Sequence, residues 1–254
     1  MSTPTITITT MGMPIRTLMA EAESGIGFLG PLLQTSDSLF PSGGYAHSYG
    51  LEEMIALGRI RDAADLQGFL ENEILPALAN LELPYLRFCQ EAARDKDVDG
   101  LLSLNEEISA WKLTREVREA GQAQGMQLMR MIREIYSDEW ADCIASKLAE
   151  QGDTCQQIVA TGLLRNLQGV PLESSLVAWT YQGVSNFCSA SIKLLRLGEV
   201  ACQRLIASCM RPDTLKPLIE QAMEVPRERT GWFNPVLDLA SARHELAFSR
   251  LFIS

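Results

Sequence analysis

The sequence predicts an all-α protein that forms a single helical-bundle domain of about nine or ten helices. From Leu29 onward, apolar residues recur with the 3.6-residue period of amphipathic helices in almost every segment. Proline and glycine interrupt this pattern at intervals, as expected between successive helices. With 254 residues, of which 46% are hydrophobic and 21% are charged, the chain can bury a substantial core.

The chain divides into three predicted parts. Residues 1–27 form an arm that we expect to be mobile, because the alternation of threonine and isoleucine at 5–10 suits a strand that lacks a partner strand. Residues 28–224 form the all-helical domain. Residues 225–254 form a linker, expected to be of low order over 225–235, followed by a C-terminal partner-docking helix or tail.

Helix boundaries can be assigned within the domain. Asp62 precedes an apolar stripe over 66–74 and can cap its first turn. The clearest amphipathic pattern runs from Leu104 to Tyr136. Within it, Gly121 and Gly125 mark either a break or a place where another helix backbone comes close.

The boundaries of the later helices are predicted from proline and glycine residues. We expect them to be separated at Pro84, Gly152, 169–171, 212–213 and Pro226. Residues 172–197 are long and weakly charged, which predicts a helix at the centre of the bundle. Cys202 and Cys209 recur on one face of the next helix and are predicted to be core residues.

Composition excludes several classes of function. A net charge of −10 argues against nucleic-acid binding, which requires clustered lysine and arginine. The sequence contains no apolar run long enough to cross a membrane and no secretory signal pattern, so we expect a cytoplasmic protein. Six scattered cysteines without a C-x-x-C pair indicate reduced and mostly buried thiols.

No pattern of catalytic residues is recognisable. The two histidines, His47 and His244, are not accompanied by metal-ligand spacings, and the sequence lacks a Walker motif and a G-x-S-x-G elbow. We therefore expect no enzymatic activity, no cofactor and no metal site. A hydrolase using His47 with Glu52 or Glu53 is the enzyme alternative, although a separation of five residues is poor for one helix face. Ligation of a metal ion by the histidines and cysteines is a further alternative, less favoured than transient passage or no contact.

Two segments depart from the helical pattern. Residues 40–53 contain Pro41 and a Gly43-Gly44 pair, which predict a tight turn carrying polar-tipped aromatic side chains. The last residues, 241–254, combine apolar bulk with Arg243 and Arg250. Such a terminus either docks on its own domain or anchors a partner.

These segments resemble the UreF family of urease accessory proteins. The resemblance rests on residues 32–34, Asp37-Ser38 and 40–52, then on 114–118 with Gly125, 192–198, 242–245 and 249–254. The fragments occur in order at suitable spacing across about residues 28–254. The chain departs from the family at Arg196 and Glu199, where proline and glutamine are frequent.

The resemblance implies a non-catalytic homodimer that scaffolds UreD (UreH in some organisms) and recruits the GTPase UreG, so that nickel reaches apo-urease. As a mechanism we hypothesise linkage, in which the scaffold binds the GTP-loaded and GDP-loaded forms of the GTPase with different affinity. A charge supplied in trans by Arg243 or Arg250 is a less favoured version of this hypothesis. The partner-binding residues that the resemblance implies are Gly43, Gly44, Tyr45, His47, Glu52, Lys193, Arg243, His244, Glu245, Arg250, Leu251, Phe252 and Ser254. The alternative function is that of a generic helical adaptor without a connection to urease.

Overall fold

Helices of very different length surround one central helix. The computed structural model describes residues 26–37, 39–41, 50–152, 154–244 and 252. These residues form eleven helices and no strand, which confirms the all-α prediction. The helices are α1 (Leu29–Ser36), α2 (Leu51–Ala56), α3 (63–95), α4 (Val98–Trp111), α5 (Arg115–Tyr136), α6 (Glu139–Glu150), α7 (Gln157–Leu167), α8 (Leu172–Leu194), α9 (Glu199–Cys209), α10 (Pro212–Glu224) and α11 (Pro235–His244).

The central helix is α7, not α8 as the sequence predicted. Nine of the eleven residues of α7 are buried, and the helix packs against α3 and α5. Helix α8 instead has one solvent-facing side, where Tyr181 is 43% exposed. The glycine Gly162 allows α7 to lie close to α3, because a Cβ atom there would be 2.5 Å from Cys89 Cβ.

Helix α3 runs continuously from 63 to 95 through two π-helical turns, Leu70–Ile74 and Leu78–Glu82. Pro76 and Pro84 each follow one of these turns. A proline in a helix has no N–H to donate and crowds the carbonyl four residues earlier, and a wider turn relieves that crowding. The expected helix boundary at Pro84 is therefore wrong.

The sequence pattern over 104–136 belongs to two helices. Helix α4 ends at Trp111 and α5 begins at Arg115, with an extended Thr114 between them. Helix α5 continues through Gly121 and Gly125, so these glycines mark a close approach rather than a break. A Cβ atom on Gly125 would be 1.9 Å from the carbonyl oxygen of Cys155.

Local predictions for caps and thiols are confirmed. Asp62 Oδ1 accepts hydrogen bonds from the N–H groups of Ala64 and Asp65, both at 2.9 Å, as a cap of α3. Cys202 and Cys209 are buried on one face of α9, and of the six free cysteines Cys143 alone is exposed. Burial raises the pKa of Cys155 to about 12, so that thiol is neutral near pH 7.

Residues 225–234, which we call the strap, run over the surface and lead into α11. The structure does not support the expectation of low order for this segment. Arg227 forms an ion pair with Glu107 on α4, and the Gly231 N–H donates to the Asn80 carbonyl at 2.9 Å. Because Pro84 has no N–H, it leaves that carbonyl without its helical donor, and the strap supplies one.

Both ends of the strap are also held. Arg87 on α3 donates to the Val225 carbonyl at 2.6 Å and to the Met223 carbonyl. At the other end, Asn234 Oδ1 accepts from the Leu237 N–H at 3.1 Å, which caps α11. The strap therefore sets the position of α11 on the domain.

Candidate partner-binding surface

Five of the predicted partner-binding residues fall within the described chain. Glu52, Lys193, Arg243 and Phe252 are described with their side chains, and His244 ends α11 with its backbone only. The remaining predicted residues lie outside the described residues: Gly43, Gly44, Tyr45, His47, Glu245, Arg250, Leu251 and Ser254.

The four described side chains come from separate segments and meet on one side of the molecule. The backbone N–H of Phe252 donates to Glu52 Oε2 at 3.1 Å. The Phe252 ring lies beneath Lys193, whose Nζ is 5.6 Å from the ring centroid, within the range of a cation–π contact. We call Glu52, Lys193, Arg243 and Phe252 the α2–α8 cluster.

Helix α11 holds Arg243 within this cluster. Arg243 Nε lies 2.7 Å from Glu53 Oε1, in an ion pair whose arginine is 63% exposed and whose carboxylate is 12% exposed. Helix α11 packs against α2 at Gly50, whose φ of 84° lies in the left-handed region. A Cβ atom there would be 2.7 Å from Ser241 Oγ, so the contact requires glycine on both counts.

Lys193 lies in the last turn of α8, where a cation interacts favourably with the negative end of the helix dipole. The helix ends because Arg196 adopts a left-handed conformation, with φ at 53°. Phe252 is only 7% exposed and belongs to the main hydrophobic core. For this residue, the structure therefore shows packing on the chain's own domain.

Two exposed apolar surfaces were missed by the sequence analysis. The first, which we call the α11 face, consists of Phe233, Val236 and Leu239, exposed to 63%, 55% and 64%. Val236 and Leu239 are three residues apart and lie on one side of α11, and Phe233 lies just before the helix. That spacing is visible in the sequence, but the pattern alone does not say which side of the helix faces outward.

The second surface, which we call the α1 face, lies where α1 packs beside α8. It consists of Leu29, Leu33 and Tyr181, of which Leu33 is 69% exposed. Helix α1 carries two apolar pairs, 28/32 and 29/33, which lie on adjacent sides of the helix. Only the contacts made by the folded domain decide which pair is covered.

A cavity of about 700 Å³ lies between the π-helical turns of α3, the middle of α8 and the start of α11. Trp111, Trp179 and Trp232 line it, and Trp179 Nε1 donates to Glu82 Oε2 at 2.8 Å. Among the described residues, no group of three histidine, cysteine or acidic side chains is placed to hold a metal ion. Nor is any described helix both long and apolar enough to span a membrane.

Comparison with known proteins identifies the family. The UreF family model matches residues 60–210, which is more than half of the chain. The chain belongs to the UreF family of urease accessory proteins. The family model includes α3 to α9 and Lys193, whereas Glu52, the strap and α11 lie outside the matched range.

Individual UreF proteins extend the similarity toward both ends. The urease accessory protein UreF of Bradyrhizobium sp. (strain ORS 278) is 31% identical over 227 residues, covering 88% of this chain and 90% of that protein. UreF of Marinomonas sp. (strain MWYL1) is 27% identical over 223 residues, covering 88% of this chain and 93% of its own length. The bifunctional urease accessory protein UreEF of Bordetella bronchiseptica is 30% identical over an alignment of 237 residues that covers 90% of this chain and 52% of that protein.

Proposed function

We propose that this UreF-family protein is a non-catalytic scaffold in urease maturation. It binds UreD (or UreH), recruits the GTPase UreG, and so assists the delivery of nickel to apo-urease. The observation that carries the proposal is the α2–α8 cluster, in which four of the residues implied by family resemblance lie together. Glu52, Lys193 and Arg243 come from three separate helices and lie together beside the buried Phe252, so a shared binding role accounts for the charged groups at this surface.

The α11 face is the proposed docking site for UreD or UreH. Exposed apolar side chains on one side of a helix are the usual anchors of a helix that docks in a groove. Phe233, just before the helix, adds an exposed aromatic side chain to this face. Aromatic and arginine side chains supply much of the binding energy at protein interfaces.

The α1 face is the proposed contact between two copies of the chain. Leu29, Leu33 and Tyr181 expose apolar area on adjacent helices, and a twofold dimer would cover the same residues on both copies. This face differs from the α11 face, so one dimer can present two docking sites for other partners.

Recruitment of UreG by the α2–α8 cluster would act through linkage. A scaffold that binds the GTP-loaded and GDP-loaded forms with different affinity shifts the equilibrium between them by that difference. No scaffold residue needs to contact the nucleotide. Arg243 is already paired with Glu53, which favours this mechanism over a charge supplied in trans.

A capture experiment tests the scaffold. The chain would be co-expressed with UreD (or UreH) and UreG, as the wild type and as the variants V236E/L239E and Arg243→Ala. We expect V236E/L239E to lose UreD or UreH, because charge on the α11 face prevents its burial. We expect Arg243→Ala to weaken capture of UreG, because the cluster loses its bond to Glu53.

The matched control is Val200→Glu. Val200 is 65% exposed on α9, outside both proposed faces, so this variant should capture both partners as the wild type does. Capture of neither partner by the folded wild-type chain would contradict the proposal and favour a helical adaptor with other partners. Equal capture by V236E/L239E and V200E would exclude the α11 face as the docking site.

A further inference from the structure

Arg165 places a positive charge in the interior of the domain. The residue lies on the central helix α7 and is 1% exposed. Its guanidinium donates to Gln168 Oε1 at 2.9 Å, to Ser36 Oγ at 3.2 Å and to Thr35 Oγ1. These acceptors are all neutral, and among the described residues no acidic side chain pairs with Arg165.

This arrangement is costly for stability alone. Burial lowers the pKa of Arg165 to about 10, and the side chain is still charged near pH 7. A buried charge without an opposite charge loses its hydration, and neutral acceptors restore only part of that loss. Replacing buried ionic groups by apolar side chains of similar volume is often neutral or stabilising. A role other than global stability would explain an arginine here.

The acceptors show what the arginine holds. Thr35 and Ser36 form the last turn of α1, and Gln168 continues the network by donating to the Pro31 carbonyl at 3.2 Å and to Tyr136 Oη at 2.9 Å. Gln182 on α8 donates to the Thr35 carbonyl at 3.3 Å. Polar contacts from α7 and α8, together with the turn after α7, therefore converge on the buried side of α1.

Apolar contacts alone would not fix the orientation of α1. The helix has eight residues and buries a single leucine, Leu32, against Val170 and Ala178, with Phe28 beside them. The adjacent pair Leu29 and Leu33 has the same spacing and is exposed. A rotation of about 100° around the helix axis would bury Leu29 and Leu33 in place of Phe28 and Leu32. The hydrophobic effect is non-directional, so it does not favour one of these rotations over the other.

We propose that Arg165 is a positioning residue for the α1 face. Its guanidinium bonds to Thr35 and Ser36 select the rotation of α1 that turns Leu29 and Leu33 outward. An isolated helix of eight residues is not stable, so α1 depends on these contacts for its structure as well as its direction. The functional consequence rests on the proposed function, in which the α1 face pairs with a second copy of the chain.

The test separates positioning from stability. The variants are Arg165→Met and Thr35→Val, with Thr35→Ser as a control that keeps the hydroxyl acceptor. Hydrogen exchange of the full chain is measured over 29–36, unfolding by thermal denaturation, and association by sedimentation. We expect Arg165→Met and Thr35→Val to raise exchange over 29–36 at least tenfold and to weaken self-association at least tenfold.

In the same samples, the thermal midpoint of Arg165→Met should stay at or above that of the wild type, and Thr35→Ser should match the wild type throughout. Unchanged exchange over 29–36 in both variants would overturn the proposal. A second result would also overturn it: a lower thermal midpoint of Arg165→Met together with unchanged hydrogen exchange over 29–36 in Thr35→Val. Arg165 would then stabilise the whole domain rather than position α1.

Leu33→Glu distinguishes failure of the proposed function from failure of this inference. If Leu33→Glu leaves self-association intact, the α1 face is not the contact between copies. Hydrogen exchange over 29–36 in Arg165→Met and Thr35→Val then decides by itself whether Arg165 positions α1.

Discussion

At the scale of single residues, glycine sets the closest approaches in this fold. Gly125 on α5 faces the backbone that leads into α7, and Gly162 on α7 faces α3. Both positions bring the central helix so close to its neighbours that a methyl group does not fit. The close packing of α7 against its neighbours therefore requires glycine, which has no Cβ atom, at positions 125 and 162.

Gly125→Ala tests this dependence. A Cβ atom 1.9 Å from the Cys155 carbonyl oxygen must move backbone rather than a flexible side chain. We expect a loss of about 3 kcal/mol in the free energy of unfolding, measured by urea denaturation. Gly68→Ala is the control: its Cβ atom would be 3.9 Å from Asn72, and alanine in a helix should stabilise by about 0.5–1 kcal/mol. Equal effects of the two substitutions would contradict the close packing of α5 on 155–156.

The roles of some residues can be predicted from their neighbours in the sequence, whereas the roles of others depend on distant segments. The cap at Asp62 is predicted correctly because its partners are two and three residues away. Arg165 gives no comparable signal, because its partners Thr35 and Ser36 are 130 and 129 residues distant. An arginine within an apolar helix pattern is compatible with either a solvent-facing or a buried position.

At the scale of elements, the strap connects the domain to α11. Its contacts with α3 and α4 combine an ion pair, Arg227 with Glu107, and a backbone bond to the carbonyl that Pro84 leaves free. Pro84 and the π-helical turn before it thus have a consequence outside α3. They create an acceptor on its surface that a neighbouring segment uses.

The Arg227–Glu107 pair predicts a pH dependence of the stability of the strap. Arg227 lowers the pKa of Glu107 below its unfolded value by donating hydrogen bonds to the carboxylate. The pair therefore contributes its full stabilisation above the unfolded pKa of about 4.3 and loses it as the pH falls through the lower folded pKa. Since both side chains are more than a third exposed, screening limits this contribution to about 1 kcal/mol.

Glu107→Gln should accordingly be less stable than the wild type at pH 7, and the difference should shrink as the pH falls below the unfolded pKa of about 4.3 and vanish below the lower folded pKa. Urea denaturation over this pH range measures both curves. Asp95→Asn is the control, because the Arg94–Asp95 pair is more than 60% exposed on both sides and should contribute little. A constant difference between Glu107→Gln and wild type across the pH range would exclude the ion pair as its cause.

At the scale of the whole molecule, the contacts of the strap predict where the folded unit ends. The sequence analysis ended the helical domain at residue 224, whereas the contacts of 225–234 with α3 and α4 predict a boundary after Asn234. A chain truncated after Asn234 lacks α11 but keeps the strap. Its thermal midpoint should differ from that of the full chain only by the contribution of α11. Truncation after Glu224 should cost about 3 kcal/mol more, because it removes at least three hydrogen-bonded contacts.

Thermal and urea denaturation of the two truncated chains measure this difference. Equal stability of the two chains would restore the boundary at 224 and show that the strap contributes nothing to the domain. A greater loss from the longer deletion would support a domain of which the strap is part.

The sequence by itself determined the all-α fold, the cap at Asp62, the burial of Cys202 and Cys209, and the family. These features depend on periodicity and on partners a few residues away, which a linear pattern contains. The tertiary structure decided that α7 and not α8 is central, that α3 continues through Pro84, and that the strap is bound. It also decided which apolar residues of α1 and α11 remain uncovered. Each of these depends on contacts between segments distant in sequence, and an amphipathic pattern does not specify which neighbour covers which side of a helix.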